Sequence, residues 1–336
     1  MVTSEGVKRL AKQLGADLCG IASMDRFEGA PKEQDPRYIF PGAKSCIVLA
    51  FRIPRGYLRG VEEGTFFSVY TAMGYAGINE VFAPIILREL CCYLEDEGYE
   101  SVPLPNIYLR PSVYCDKEPE DPEVSVPVAP GKPKPDVMID QRVAAYAAGL
   151  GEYGWSKVFL TPEFGPLQRF VCLLTAAELE PDPIYDGPPL CRRCMACVRQ
   201  CPGHCIPSIK DNNSCHATIE GHTYEWGNID MWRCYAFYTH AGRYYNPFVP
   251  KEVFDSNTGS LDLLEDFDNR LKADEKNVTE LYTELEKYFP TWVGYNMAKC
   301  GGCIRACVSM LEKKGGCMEG RFKQPLRTGK AWKMDR

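Results

Sequence analysis

The spacing of apolar residues predicts alternating helices and short buried strands in the first third of the chain. Between residues 5 and 14 apolar side chains recur at helical intervals, and Gly15 is expected to end that helix. Apolar runs over 18–22 and 46–51, bounded by glycine and proline, are typical of buried strands. A longer amphipathic helix is predicted over 78–96.

This regular pattern breaks down over residues 115–136, which are rich in proline and charge and predict a solvent-facing loop. A helix over 138–148 follows, and then two short strands over 157–160 and 169–175 that are joined by a tight turn. The composition shifts again near 181–190, where a domain boundary is expected.

Composition and charge exclude several classes of protein. Among 336 residues, 45% are apolar and the formal net charge is -6, which gives no polybasic field for a nucleic-acid backbone. No apolar run is long enough to span a bilayer. The amphipathic N-terminus resembles neither a secretory nor a twin-arginine signal, so a cytoplasmic location is expected. In that compartment 17 cysteines indicate metal ligands rather than disulfides.

The strongest signal is the segment CRRCMACVRQCP, in which cysteines follow the bacterial ferredoxin spacing C-x2-C-x2-C-x3-C-P. They are Cys191, Cys194, Cys197 and Cys201. Three thiolates at this spacing can bind three corners of one [4Fe–4S] cube, and the fourth ligates a second cluster. A structural zinc site normally uses two separated pairs, so the dense run favours iron–sulfur.

A second group, KCGGCIRAC, supplies Cys300, Cys303 and Cys307 and lacks the first cysteine of a full run. One isolated cysteine must therefore complete the eight ligands of two clusters. The candidates are Cys205, Cys215, Cys234 and Cys317. The remaining cysteines are interpreted as small buried apolar residues.

This order of a full run, an isolated cysteine and C-x2-C-x3-C resembles the pattern shared by reductive dehalogenases and epoxyqueuosine reductases. The segments GADLCGIA at 15–22, AGLGE at 148–152 and TAAELEPD at 175–182 are similar to the same families. The resemblance covers most of the chain, except 115–136 and an acidic insertion near 245–290.

The resemblance implies a ligand set for each cluster. The isolated cysteine of the dehalogenases lies in a context similar to Arg233-Cys234-Tyr235, which selects Cys234. One cluster would then be held by Cys191, Cys194, Cys197 and Cys307, and the other by Cys201, Cys234, Cys300 and Cys303.

The fold class implied is α+β. A nitroreductase-like α/β domain over 1–185 would bind cobalamin, and a ferredoxin-like domain over 186–336 would carry two [4Fe–4S] clusters and the insertion. The cobalamin would be base-off, which is consistent with four histidines that all lie in the second half; a flavin is the alternative. The family resemblance assigns Gly149, Gly151, Glu152 and Asn106 to the cofactor site. Alternatively, the glycines only permit a tight turn.

By the same resemblance, Tyr75 is the candidate proton donor and Lys157 its basic partner, because a nearby cation favours the phenolate form. Tyr70 competes for the first role, and Lys157 can instead be a surface lysine at the start of a strand. Asp136 and Asp140 are more typical of loop or helix-cap carboxylates than of catalytic acids.

The chain departs from both families at several positions. Val308 follows Cys307 where both usually have Cys-Pro-Trp, and the acidic signature that precedes AGLG in epoxyqueuosine reductases is absent. Glu152 favours dehalogenases, since epoxyqueuosine reductases usually have tryptophan there. Dehalogenases have a basic residue soon after this glutamate, whereas here Trp155 intervenes before Lys157.

The expected function is a cobalamin-dependent iron–sulfur reductase that cleaves a bond in a small organic substrate, as dehalogenases do. The alternatives are an epoxyqueuosine reductase in transfer RNA maturation and an electron-transfer protein that activates a corrinoid elsewhere. An external donor such as ferredoxin or flavodoxin is expected as a partner. Neither a membrane nor nucleic acid is expected, although Arg192, Arg193 and Arg199 form a local basic group.

Overall fold

The computed structural model describes residues 2–106, 125–256, 261–266, 271–285, 288 and 302–336, which form a mixed α and β structure. Its helices are α1 (Ser4–Leu14), α2 (Arg59–Glu63), α3 (Ser68–Thr71), α4 (Ala83–Asp96), α5 (Gln141–Ala147), α6 (Ala196–Arg199), α7 (Met231–His240), α8 (Lys251–Asp255), α9 (Asp262–Glu265), α10 (Glu275–Leu285) and α11 (Gly302–Leu311). Its strands are β1 (Leu18–Ser23), β2 (Ser45–Arg52), β3 (Ser101–Leu104), β4 (Glu152–Tyr153), β5 (Phe159–Leu160), β6 (Gln168–Thr175), β7 (Ser214–Ile219) and β8 (His222–Gly227).

A four-stranded antiparallel sheet with the order β1-β2-β6-β3 separates two apolar cores. Side chains alternate along β2, so Ile47 and Leu49 enter one core while Val48 and Ala50 enter the other. Both faces of the strand are covered, which explains why its sequence is continuously apolar rather than alternating.

The first core joins residues from both sides of the boundary expected near 181–190. It lies under α1 and α4, and it also takes in Val308, Leu311, Met318 and Leu326 from the C-terminal segment. The cysteine-rich half is therefore packed directly against the N-terminal sheet through apolar side chains.

The second core lies under α5, and the β7–β8 hairpin closes over it. Tyr224 of the hairpin stacks on Tyr153 with ring centroids 4.7 Å apart, and Trp226 lies 5.4 Å from Tyr224. The nitrogen of Gly227 donates to the carbonyl of Trp155 at 2.8 Å. These contacts hold Tyr153 and Trp155, which follow the AGLG sequence, in place between the sheet and the hairpin.

The acidic insertion packs on α7 as a third core, which includes residues of α8, α9 and α10. Arg233 is 1% exposed and forms an ion pair of 2.9 Å with Asp266. The same guanidinium donates to the carbonyl of Leu271 at 2.6 Å. The insertion is thus held to the helix that contains Cys234.

The apolar pattern predicts α1, β1 and β2 correctly, and Gly15 ends α1 in the left-handed conformation at φ 118°. The helix predicted over 78–96 is a longer stretch, because a π-helical segment (Ala72–Phe82) connects α3 to α4. The helix predicted from 138 begins only after Asp140, whose carboxylate accepts from the nitrogen of Arg142 at 2.9 Å.

Two further outcomes concern the irregular segments. The strand predicted over 157–160 shortens to Phe159–Leu160, because Lys157 lies in a left-handed turn at φ 59°. Of the loop predicted over 115–136, residues 115–124 lie outside the described part, and 125–136 form neither helix nor strand. In the part of the chain that the structure describes, no helix has the length and apolar character needed to cross a membrane.

Candidate iron–sulfur site

Four cysteines that are distant in sequence line one cavity between the cysteine run, α11 and the turn after β4. They are Cys191, Cys194, Cys197 and Cys307. This is the set that the family resemblance implies for one cluster. Met310 and Leu311 cover the apolar side of the cavity, and Trp155 and Ser156 close it from the N-terminal half.

The backbone of the run explains how neighbouring thiols reach the same cavity. Arg193 and Met195 adopt left-handed conformations at φ 47° and φ 55°, which are uncommon for residues other than glycine. The chain therefore turns sharply on both sides of Cys194. Directly after the second turn α6 begins, and it packs against α11, which carries Cys307.

The sulfurs in this cavity affect one another's protonation. Burial, together with the neighbouring sulfur of Cys191, raises the pKa of the Cys197 thiol to about 11. Burial also raises the pKa of Cys307 well above its ordinary value, again with a contribution from the sulfur of Cys191. Thiolates at these positions would need positive charge between them, which the iron of a cluster would supply. Among the described residues, no three side chains are arranged as ligands of a metal ion.

Glu152 holds the start of the cysteine run in place. Its Oε1 accepts a hydrogen bond from the backbone nitrogen of Cys191 at 2.7 Å, and the nitrogen of Leu190 also donates to the carboxylate. Burial raises the pKa of Glu152, although these two donors and Arg193 oppose the rise. The sequence reasoning missed this role and assigned Glu152 to the organic cofactor.

Trp155 makes a second connection between the two halves. Its backbone nitrogen donates to the Sγ of Cys191 at 3.4 Å, and its indole nitrogen donates to the carbonyl of Pro207 at 2.7 Å. The guanidinium of Arg193 lies 4.8 Å from the centre of the Trp155 ring system. N–H···S bonds of this kind are among the factors that set cluster potentials.

A second group of thiols contains Cys201, Cys205 and Cys234. The backbone nitrogen of Cys205 donates to the Sγ of Cys201 at 3.3 Å. A hydrogen bond from the Cys205 thiol, together with backbone N–H donors that include Gly203, lowers the pKa of Cys201 to about 6. The Cys205 thiol also lowers the pKa of Cys234. The structure therefore brings Cys201 and Cys234 together, as the resemblance implies.

The other candidates for the isolated ligand lie elsewhere. Cys215 is on β7 near Lys157, and Cys317 lies near Cys307. Cys205 remains a competitor of Cys234, because it is 4% exposed and lies between the other two thiols. Cys303 lies on α11 one turn before Cys307, and Cys300 lies outside the described residues.

The residues assigned to the organic cofactor have partners within the chain. Gly149 and Gly151 have positive φ, and a Cβ atom on them would lie 2.1 Å from the carbonyl oxygen of Pro183 and 2.0 Å from that of Leu160. Both glycines therefore serve close backbone packing. The amide of Asn106 donates to the carbonyl of Phe170 at 3.0 Å. The assignment of these residues to an organic cofactor stays a prediction.

Tyr75 and Lys157 lie on different sides of the sheet. Tyr75 is buried, and the guanidinium of Arg169 lies 4.0 Å from its ring centre, on the side of the first core. Lys157 lies over Trp226, which packs on the second core. Sequence reasoning did not identify Arg169. The one indication of it in the sequence is a charged residue within a largely apolar strand.

Asp140 and Asp136, the two aspartates considered above as acids, lie in different surroundings. Asp140 caps α5, and although burial raises the pKa of its carboxyl, Arg142 outweighs that effect and the pKa is lowered. Burial and the charge of Arg142 lower the pKa of Lys157, while Asp140 opposes them. Asp136 is exposed. A carboxyl with a lowered pKa, such as Asp140, is poorly suited to donate a proton at neutral pH.

Comparison with known proteins identifies relatives of two kinds. The chain is 23% identical over 262 residues to the tetrachloroethene reductive dehalogenase of Dehalobacter restrictus, covering 71% of this chain and 45% of the relative. It is 25% identical over 273 residues to the epoxyqueuosine reductase of Bacillus cereus, covering 73% of this chain and 57% of the relative. No family model matches the chain.

A solved reductive dehalogenase, described in connection with a mechanism for B12-dependent dehalogenation, shares the fold. Its TM-score is 0.50 at 16% identity, and the match covers 88% of this chain and 37% of that one. Together these relatives support the resemblance: the chain is similar both to reductive dehalogenases and to epoxyqueuosine reductases. It spans about half the length of the two curated relatives described above.

Proposed function

We propose that this chain is an iron–sulfur reductase that holds two [4Fe–4S] clusters and delivers electrons for the reductive cleavage of a small organic substrate. The observation that carries this proposal is the cavity in which Cys307 of α11 joins Cys191, Cys194 and Cys197 of the cysteine run. A structural role for the cysteines alone would not require sulfurs from α11 and the run to converge in one buried cavity.

The clusters would supply single-electron steps. Around the first one, Trp155 and Leu311 exclude water, and Glu152 and the nitrogen of Trp155 orient Cys191. For the second, the ligands proposed from the family resemblance are Cys201, Cys234, Cys300 and Cys303. Cys201 and Cys234 are the members of this set that lie together in the described chain.

Reductive cleavage also needs a proton, and we assign its delivery to Tyr75. The hydroxyl of a tyrosine beside a cation is a suitable acid, because the cation stabilises the phenolate that remains. In this structure the neighbouring cation is Arg169 at 4.0 Å from the ring centre, and Asn79 accepts from the Nε of Arg169 at 3.3 Å. Lys157 would then stabilise the turn after β4 rather than the acid.

Cobalamin belongs to this proposal through the relatives, one of which is described in connection with B12-dependent dehalogenation. The residues that we first assigned to it also have contacts within the chain: Gly149, Gly151 and Asn106 contact backbone, and Glu152 contacts the cysteine run. Cobalt content is the measurement that decides whether the chain binds cobalamin.

Epoxyqueuosine reduction is the second candidate, because an epoxyqueuosine reductase is a relative over 73% of this chain. For the same reason the expectation that nucleic acid is not a partner is unsupported, since that activity belongs to transfer RNA maturation. The two candidates differ in substrate, so turnover of halogenated aromatics against turnover of an epoxyqueuosine-modified stem loop separates them.

The first experiment is anaerobic purification with cobalamin supplied during expression, followed by iron and cobalt analysis. We expect about eight iron atoms and about one cobalt per chain. The variant Cys307→Ser should lose about four of the eight irons, whereas Cys92→Ser, at a half-buried position on α4, should lose none. Eight irons without cobalt would instead support an electron-transfer protein, and four irons or fewer in the wild-type chain would contradict the proposal.

A further inference from the structure

The last part of the chain is strongly basic although the whole chain is acidic. Residues 313–336 contain eight lysines and arginines and two acidic residues, against a net charge of -6 for the full sequence. Lys313, Lys314 and Arg321 are exposed. A local asymmetry of this size indicates a binding surface for an acidic partner.

This basic segment runs beside the cysteine run. The guanidinium of Arg192, which lines the first cavity, lies 4.0 Å from the position that a Cβ atom on Gly315 would occupy. Further along, Arg327 donates to the side-chain oxygen of Gln200 at 3.3 Å, directly before Cys201. The segment therefore follows the outer side of the loop that carries the proposed cluster ligands.

We define the basic rim as five of the exposed cations on these two neighbouring segments. They are Arg192, Arg199, Lys313, Lys314 and Arg321. The nearby acidic groups leave this rim positive. Glu312 is buried against Arg55 at 2.6 Å, and the Oε2 of Glu319 accepts from the nitrogen of Gly315 at 2.7 Å. Glu319 and Glu163, the latter on the adjoining turn, are both exposed, so the rim has five exposed cations against these two acids.

We propose that the basic rim is the docking surface for an acidic one-electron carrier protein that reduces the cluster held in the first cavity. The inference rests on the proposed function, because it needs that cluster. One electron leaves the reduced carrier, which is thereby oxidised, and enters the cluster, which is reduced; no bond is made or broken. A surface at the mouth of a redox cavity favours an electron carrier over RNA, and the net acidity of the chain also opposes binding to a phosphate backbone.

The test uses the full-length, cluster-loaded protein and a reduced, acidic plant-type [2Fe–2S] ferredoxin as the probe in stopped-flow reduction. The double variant Lys313→Glu/Lys314→Glu should slow the second-order reduction by at least about tenfold at low salt. It should also flatten the dependence of the rate on ionic strength. The matched control, Lys12→Glu/Lys44→Glu, reverses two exposed lysines that do not line the cavity and should react at the wild-type rate.

Two further measurements separate the possible failures. Iron content and reduction by the methyl viologen radical cation report whether the clusters are present and competent; their loss in the wild-type protein would contradict the proposed function itself. Intact clusters with an unchanged ferredoxin rate in the Lys313/Lys314 double variant would overturn the docking proposal. So would loss of binding to a labelled transfer RNA stem loop in that variant while its ferredoxin rate stays at the wild-type value.

Discussion

Glu152 offers the sharpest test of how the two halves of the chain are joined. Its half-buried carboxylate accepts from the nitrogen of Cys191 at 2.7 Å and from the nitrogen of Leu190. Glu152→Ala removes both acceptors and leaves two N–H donors with reduced access to water. A buried donor without a partner costs about 1–3 kcal/mol, so the loss of both bonds should lower the free energy of unfolding by about 2–6 kcal/mol.

The assay is anaerobic guanidinium unfolding, followed both by cluster absorbance and by tryptophan fluorescence. Iron release to a chelator at low denaturant measures how firmly the cysteine run is held. Glu152→Ala should release the iron of the first cluster faster than the wild-type protein, and Glu152→Gln, which retains one acceptor, should lie between them. Glu163→Ala, at an exposed position nearby, should change the free energy of unfolding by less than about 0.5 kcal/mol.

The outcomes refute different parts of this reasoning. If Glu152→Ala unfolds at the wild-type denaturant concentration, the bond to Cys191 contributes nothing to stability. If it unfolds earlier but releases iron at the wild-type rate, Glu152 stabilises the fold without positioning the ligand loop. Only a loss of stability together with faster iron release supports Glu152 as a positioning residue for the cluster.

Three further predictions concern other residues. Tyr75→Phe should lower turnover by about 10²–10⁴-fold at unchanged iron content if Tyr75 is the proton donor, whereas Tyr70→Phe should leave turnover near the wild-type rate in the same assay. Glu62→Gln should lower the free energy of unfolding in urea by about 3–5 kcal/mol, because the buried Glu62 pairs with two arginines. Burial alone would raise the pKa of Glu62, but these arginines lower it below its ordinary 4.5, so the carboxylate stays charged and the loss should be equal at about pH 6 and about pH 8. Trp332→Phe should lower the free energy of unfolding by about 0.5–1.5 kcal/mol in the same urea assay, because it removes the hydrogen bond of 2.8 Å from the indole nitrogen to the carbonyl of Val61. An unchanged unfolding midpoint would show that this bond does not hold the C-terminal segment.

Local patterns predict the parts of this fold that local forces determine. The helix that ends at Gly15 and the two apolar strands of the sheet follow from spacing and from a capping residue. Where the start of a helix depends on a side chain, as with the cap at Asp140, the pattern places it about three residues too early. The shared core of the two halves could not be predicted, because no local signal shows that Met318 packs under α1 and α4.

The candidate site likewise has parts that the sequence predicts and parts that depend on tertiary packing. Ferredoxin spacing indicates that Cys191, Cys194 and Cys197 share one cluster, because that property is encoded within a few residues. The arrival of Cys307 from α11 and the cation above Tyr75 are products of tertiary packing. Sequence reasoning reached the first only through the family resemblance and did not reach the second, Arg169.

The position of Glu152 also changes what its identity can say about substrate. A glutamate after AGLG favoured dehalogenases over epoxyqueuosine reductases in the sequence comparison. In the structure its carboxylate contacts the backbone of Cys191 and Leu190 rather than an open pocket. A residue whose described contacts are with the cluster loop records how that loop is anchored, and carries no information about the leaving group. Discrimination between the two activities must therefore rest on groups near the reacting atoms, for which Tyr75 and Arg169 are the candidates that this structure offers.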